Sequence, residues 1–273
     1  MDNNYSILLA PNPSPMTGPG TNTILLSGRP EGAFIIDPGD NHPQHLDAII
    51  QAGKAGSGFR GILITHGHPD HITGAEELRQ RLHIPIYAFS KSGTPIADEE
   101  IADGTTWALG DETLRALHTP GHRFDHLCFL LERQRILFAG DLLAGTGTVV
   151  ISPPEGDLLD YLTSLHRLQQ LELVQIVPAH GPTIEQPRAK LAEYIAHRLQ
   201  REQQILAALH TQPDGCEIPT IVEHIYVDVD PMLHPVAARS VEAHLIKLER
   251  EGRVRRQGEK WTLQGDHKGA PLQ

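Results

Sequence analysis

Thr65-His66-Gly67-His68-Pro69-Asp70-His71 is the most informative stretch of the sequence. It places four potential metal ligands within six residues, directly after the apolar run Gly61–Ile64. A turn that leaves the end of a strand can direct alternating side chains at one point. Histidine and aspartate without cysteine are typical of open catalytic sites for divalent cations, whereas closed structural zinc sites often use cysteine.

Three further potential ligands lie far along the chain, each in a short Gly- or Pro-flanked turn near the end of an apolar run. They are His122 in Thr119–His122, Asp141 in Phe138–Asp141 and His180 in Pro178–Gly181. Ligands that leave several strand ends can meet at one edge of a sheet. We therefore expect one metal cluster.

Short apolar runs alternate with amphipathic segments along most of the chain, which predicts an α/β fold. The predicted strands are Ile24–Leu26, Ala33–Ile36, Gly61–Thr65, Leu127–Leu131, Arg135–Phe138 and Val174–Val177. The predicted helices are His45–Ala52, Ala75–Leu82 and Leu158–Leu171. Each predicted strand is bounded by turn-forming residues.

The ligand order His-x-His-x-Asp-His, followed by a distant His, Asp and His, resembles the metallo-β-lactamase superfamily over roughly residues 5 to 185. The resemblance implies an αββα sandwich with two metals at one edge. It implies one metal on His66, His68 and His122, and a second on Asp70, His71 and His180, with Asp141 bridging both. Asp37 resembles the carboxylate that fixes the tautomer of a ligand histidine in this family.

The implied chemistry is hydrolysis by a metal-bridging hydroxide. Two divalent cations that share a water lower its pKa toward neutrality and can clamp the attacking and leaving oxygens of a displacement. Asp70, which can also orient the nucleophile, and Asp141 are the predicted catalytic carboxylates. We expect two zinc ions per chain, and the sequence leaves manganese and iron open.

The chain changes character after Pro187. Residues 187–210 are predicted to form one amphipathic linking helix, after a catalytic domain of residues 1–186. Residues 211–273 follow as a small α+β domain: two helices, Ile218–Tyr226 and Pro235–Glu251, and a hairpin through Trp261. This is the outline of a winged helix.

The substrate is less determined, because one fold hosts many activities. Asn12–Thr23 and the C-terminal winged helix resemble the β-lactamase-like protein 2 branch, which implies an endoribonuclease for single-stranded RNA. Arg123 stands where the superfamily usually has Ser or Thr, so it is a candidate phosphate contact. His126, four residues after His122, is a candidate to line the pocket.

Two alternatives remain open. The first is a thioester hydrolase like glyoxalase II, or a lactone or ester hydrolase. The second is a winged-helix regulator that binds DNA, which the excess of ten acidic over eight basic residues in 211–273 disfavours. Residues 247–260 hold six basic and three acidic residues. They are either a phosphate-contacting wing or the solvated end of a helix.

Composition limits the class of protein. The 273-residue chain carries a net charge of −11, which argues against coating nucleic acid or membranes by bulk charge. Its two cysteines exclude a disulfide framework. The sequence has no recognisable signal peptide or membrane span, so we expect a cytoplasmic protein, or a mitochondrial matrix protein in a eukaryote. The expected partner is RNA or a small acyl or ester substrate, with no membrane and no obligatory protein partner; the oligomeric state is left open.

Overall fold

Two β-sheets pack face to face in the computed structural model, which describes residues 4–28 and 32–264. The first sheet contains, in spatial order, β1 (Tyr5–Leu9), β2 (Asn22–Leu26), β3 (Ala33–Ile36), β4 (Phe59–Leu63), β5 (Ile86–Ala88) and β6 (Glu99–Glu100). The second contains β7 (Thr106–Leu109), β8 (Glu112–His118), β9 (Leu127–Leu131), β10 (Ile136–Phe138) and β11 (Gln175–Val177), in the reverse spatial order. Strands β3 to β6 are parallel, as are β10 and β11, and the other pairs are antiparallel.

Helices cover both outer faces of this sandwich. They are α1 (Pro43–Ala55), α2 (Pro69–Ile72), α3 (Ala75–Leu82), α4 (Leu158–Gln169) and α5 (Pro187–His210). The residues of strand β9 are all apolar because both faces of the strand are buried. Phe129 points into the core between the sheets, whereas Cys128 and Leu130 point into the cluster under α4 and α5. A strand buried on both faces is a continuous apolar run rather than an alternating one.

A C-terminal unit follows α5 and has the predicted winged-helix architecture. It contains β12 (Cys216–Glu217), α6 (Ile218–Ile225), a 3₁₀ turn at Pro231–Leu233, α7 (His234–Arg250), β13 (Val254–Gln257) and β14 (Lys260–Leu263). Its core joins Ile205 and Leu209 of α5 to Val241 of α7 and Trp261 of β14. The α/β sandwich followed by a winged helix is therefore confirmed.

The predicted elements agree with the structure to within a few residues. Strand β4 begins at Phe59 and ends at Leu63, shifted by two residues from the prediction, because Phe59 already pairs with Ala33 on β3. Strands β1, β5, β6, β7, β8 and β12 were not predicted. The boundaries at 186/187 and 210/211 stay predictions, since α5 packs into both hydrophobic clusters and residues 265–273 lie outside the described part.

In the part of the chain that the structure describes, no helix is both long and apolar enough to cross a membrane.

Candidate metal centre and cleft

Loops at one edge of the sandwich bring all seven predicted ligand side chains together. They form two neighbouring groups in which the ligand atoms lie within 4.8 Å of one another. The groups are His66, His68, His122 and Asp141, and Asp70, His71 and His180. The single turn of α2 carries Asp70 and His71, which explains how two adjacent residues reach the same cluster.

In the first group three ring nitrogens converge. His66 Nε2 lies 2.8 Å from His68 Nδ1, and His122 Nε2 lies 3.2 Å from that same His68 nitrogen. Asp141 Oδ2 lies 3.7 Å from His122 Nε2. Three nitrogens and one carboxylate oxygen are a donor set suited to a divalent cation of borderline softness.

The second group lies on the other side of Asp141. His180 Nε2 is 3.3 Å from Asp70 Oδ2, and His71 Nε2 is 3.8 Å from the same oxygen. Asp141 Oδ1 is 3.2 Å from His180 Nε2 and 3.6 Å from His71 Nε2. The two carboxylate oxygens of Asp141 thus face different groups, as a bridging ligand requires.

Hydrogen bonds behind the cluster leave the correct ring nitrogens free. Asp37 Oδ2 lies 2.8 Å from His71 Nδ1, and the Val150 carbonyl lies 2.9 Å from His122 Nδ1. Because both acceptors require a proton on Nδ1, the Nε2 atoms keep their lone pairs for a metal. His71 Nε2 is buried without a hydrogen-bond partner among the described residues, which fits the role of a metal ligand.

The electrostatics of the cluster also favour a cation. Burial alone would lower the pKa of His71, but the carboxylates of Asp141 and Asp37 raise it well above its usual value. His180 behaves alike: burial lowers its pKa, yet hydrogen bonds with Asp141 and Asp70 raise it to about 9. Asp141 is held ionised, since the nearby histidines outweigh burial and keep its pKa well below the usual range. Bound divalent cations would replace these protons as the balancing charge.

The backbone around Asp141 is tightly constrained. Gly140 has a φ of +49°, and a Cβ atom there would lie 2.7 Å from His126 Nε2. The Asp141 amide donates to that nitrogen over 3.1 Å. Glycine therefore lets the chain turn closely past His126 and deliver the Asp141 carboxylate to the cluster.

A family model described as the Metallo-beta-lactamase superfamily matches residues 16–184, and one described as a Beta-lactamase associated winged helix domain matches residues 218–261. The chain belongs to the metallo-beta-lactamase superfamily. It is 35% identical over 266 residues to a Beta-lactamase-like protein 2 homolog of Drosophila melanogaster, covering 91% of this chain and 88% of that one. The predicted resemblance is confirmed, and the chain is a metal-dependent hydrolase.

Two further comparisons extend over nearly the whole chain of this superfamily member. An Atrochrysone carboxyl ACP thioesterase of Aspergillus chevalieri is 32% identical over 278 residues, covering 95% of this chain and 86% of that one. A crystal structure of a Beta-lactamase domain protein from Burkholderia ambifaria has a TM-score of 0.82 at 20% identity, covering 95% and 91% of the two chains. The latter similarity shows the shared fold.

The two predicted substrate contacts, Arg123 and His126, are both buried. Arg123 is 8% exposed, and its guanidinium donates to Asp125 Oδ1 over 2.7 Å, to Gly93 O over 3.0 Å and to Glu155 Oε2 over 3.2 Å. It is therefore a buried clamp between loops. The structure does not support a phosphate contact for it.

His126 is fully buried, and both of its ring nitrogens are engaged. Nε2 accepts from the Asp141 amide, and Nδ1 lies 3.0 Å from Thr119 Oγ1. His126 therefore packs against the loop that carries Asp141 and does not line the cleft.

Two groups that orient the cluster were not among the predicted site residues. Thr65 donates to Asp37 twice, from its amide over 2.8 Å and from its hydroxyl over 2.6 Å. The Val150 carbonyl holds His122, and the adjacent Val149 carbonyl accepts from Arg198 of α5 over 2.5 Å. The position of Thr65 directly before His66 could have indicated its role. The role of a backbone carbonyl cannot be recognised from sequence, because every residue has one.

A cleft of about 960 Å³ opens from the cluster toward the C-terminal unit. Five of the seven candidate ligand residues line its inner end: His68, Asp70, His122, Asp141 and His180. One side is the loop Pro15–Pro19, which lies within the segment Asn12–Thr23 that resembles the β-lactamase-like protein 2 branch. Another side is formed by residues 144–155. Residues of α5, of α7 and of the connection between α6 and α7 close the far side. The volume is at the upper end of the usual range for small-molecule sites.

Proposed function

We propose that the cluster binds two zinc ions and hydrolyses an acyl thioester or ester. His66, His68 and His122 would hold one ion and Asp70, His71 and His180 the other, with Asp141 between them. This assignment is supported by the two faces of Asp141 and by the Nδ1 hydrogen bonds of His71 and His122.

When bound, two cations at this place would supply a water activated near neutral pH and would polarise the carbonyl to be attacked. The side chains of the protein provide the geometry. Asp70, with its side chain 29% exposed at the cleft floor, accepts a hydrogen bond from the attacking water and takes its proton. In the reaction the water oxygen bonds to the carbonyl carbon, the carbon–sulfur or carbon–oxygen bond breaks, and the proton that Asp70 accepted passes to the departing thiol or alcohol.

The apolar lining of the cleft supports the proposal that the substrate is an acyl compound. Apolar side chains form much of its wall, among them Met16, Val149 and Leu233. Both arginines that border the cleft form hydrogen bonds within the protein. Arg198 donates to the Val149 carbonyl, and Arg201 donates to the Ile225 carbonyl. RNA affinity rests largely on free cationic side chains for phosphates, whereas an acyl group needs apolar surface.

The testing experiment measures thiol release from N-acetylcysteamine thioesters by zinc-loaded protein. His68→Ala, which removes a ligand, is compared with His166→Ala, which removes an exposed histidine on α4. We expect turnover by the parent and His166→Ala and a loss of at least about a hundredfold in His68→Ala. Absence of turnover on both thioesters and oxygen esters would contradict the proposal.

Single-stranded RNA is the second candidate substrate, and the surface of the β13–β14 hairpin favours it. Arg255, Arg256 and Lys260 are exposed there and could contact phosphates. The same protein samples are therefore incubated with end-labelled single-stranded RNA. Cleavage that is lost in His68→Ala, without thioester turnover, would select the nuclease instead.

A further inference from the structure

The far side of the cleft is built by the C-terminal unit. We call it the C-terminal wall, and it consists of Tyr226, Val229, Leu233, Val236 and Ala237. These residues come from the connection between α6 and α7, which contains the 3₁₀ turn, and from the start of α7. The wall faces the same cleft as His68 and Asp141, so a molecule attacked at the cluster can extend onto it.

Large apolar side chains on this wall are exposed to solvent. Leu233 is 48% exposed and Val236 is 38% exposed, and Met16 across the cleft is 62% exposed. Apolar side chains grouped around one concave surface are typical of a binding site, because a ligand removes them from water. These three residues therefore offer binding free energy to an apolar group.

The cationic side chain nearest the C-terminal wall, Arg201, is held by contacts within the protein and does not turn the wall into an anion-binding surface. The Arg201 guanidinium carbon lies 4.0 Å from the centre of the Tyr226 ring, and the side chain donates to the Ile225 carbonyl. Its charge is thus held against the aromatic face and the helix end. No lysine borders the cleft within residues 4–28 and 32–264.

We infer that the C-terminal wall binds the acyl body of the substrate, an aliphatic or aromatic group much larger than acetyl, and sets specificity for it. The inference rests on the proposed ester hydrolysis for its reaction and on the wall for its substrate class. The winged-helix unit then acts as part of the substrate site rather than as a nucleic-acid reader.

The kinetic test compares octanoyl and acetyl N-acetylcysteamine thioesters. The variant Leu233→Gln/Val236→Thr makes the wall polar at similar volume, and both positions are exposed, so folding is not at risk. Met232→Gln is the matched control, because Met232 is 86% exposed on the same 3₁₀ turn but does not line the cleft. We expect the parent and the control to prefer octanoyl, and the ratio of kcat/KM values to fall about tenfold in the wall variant. A parent without octanoyl preference, or an equal fall in the control, would overturn the inference.

A binding experiment separates this inference from the proposed reaction. The S-octyl and S-methyl thioethers of N-acetylcysteamine cannot be hydrolysed, and their affinities are measured by calorimetry on the zinc-loaded parent, wall variant and control. Preferential octyl binding that is lost only in the wall variant supports the inference even if no thioester is turned over, in which case the proposed reaction alone fails. Equal affinities for octyl and methyl in the parent overturn the inference.

Discussion

His71 Nδ1 lies 2.8 Å from Asp37 Oδ2, and both side chains are buried. Thr65 donates two further hydrogen bonds to the same carboxylate. Asp37 can therefore only accept from His71, which fixes the proton on Nδ1 and directs the lone pair of Nε2 toward Asp70 and Asp141. The orientation of one ligand is thus set by a residue 34 positions earlier in the chain.

Asp37→Asn is expected to weaken the second metal site. The amide group removes the negative charge and presents a donor where only acceptors fit, so the preferred tautomer of His71 is lost. We expect zinc affinity at one of two sites to fall about 10- to 100-fold, as measured by competition with a chromogenic chelator. The control is Asp40→Asn, whose carboxylate accepts from the His42 amide at the start of α1. Unchanged affinity in Asp37→Asn would exclude this role.

Arg198→Met is expected to weaken the first metal site from a distance. Arg198 anchors the Val149 carbonyl, and the next carbonyl orients His122, so loss of the anchor lets this segment move. We expect zinc affinity to fall several-fold at the site of His122, with partial recovery in Arg198→Lys. Arg188→Met on the exposed face of α5 is the control. A lower melting temperature with unaltered zinc affinity would reduce Arg198 to a stabilising residue.

Arg123→Met is expected to destabilise the fold without changing KM. Its guanidinium pairs with Asp125, whose side chain is 1% exposed, and loss of one partner leaves that charge buried. The expected cost is about 3 kcal/mol in the free energy of unfolding by urea. Arg115→Met, which breaks a surface pair with Glu132, should cost less than about 1 kcal/mol. A raised KM at unchanged stability would restore Arg123 as a substrate contact.

His244 is expected to make stability depend on pH. Burial lowers its pKa to about 4 in the folded chain, against 6.5 for a free histidine. Between these values the unfolded chain binds a proton that the folded chain does not, so this stability is complete above about pH 6.5 and is lost as the pH falls toward 4. In metal-free protein, the parent should lose about 2 kcal/mol more than His244→Gln between pH 7 and pH 5. Equal losses by urea unfolding would contradict this.

The grouping of the seven candidate ligands could be predicted from sequence because each sits in a recognisable short motif. The edge strand β1 could not be predicted, because all five of its residues are at least partly exposed, and neither could β8, which mixes buried and exposed positions. Both depend on pairing with the neighbouring strands, β2 for β1 and β7 and β9 for β8, rather than on their own pattern.

Arg123 and His126 show why residues next to a ligand are hard to interpret. His122 turns toward the cluster, but the following arginine turns back to Asp125 and Gly93. His126 leads into β9 and packs behind Asp141. The direction in which the side chain of Arg123 or His126 points does not follow from its proximity to His122 in the sequence. The cleft is also beyond sequence reasoning, since its walls come from loops and helices that meet only in the folded chain.

The most direct test of the central claim is the zinc content of the protein after dialysis against zinc and removal of free metal. We expect two zinc ions per chain in the parent and fewer than one in Asp141→Asn, since that carboxylate faces both ligand groups. His166→Ala should keep two. A parent that binds no zinc, manganese or iron, or an Asp141→Asn variant that keeps two ions, would contradict the dinuclear centre.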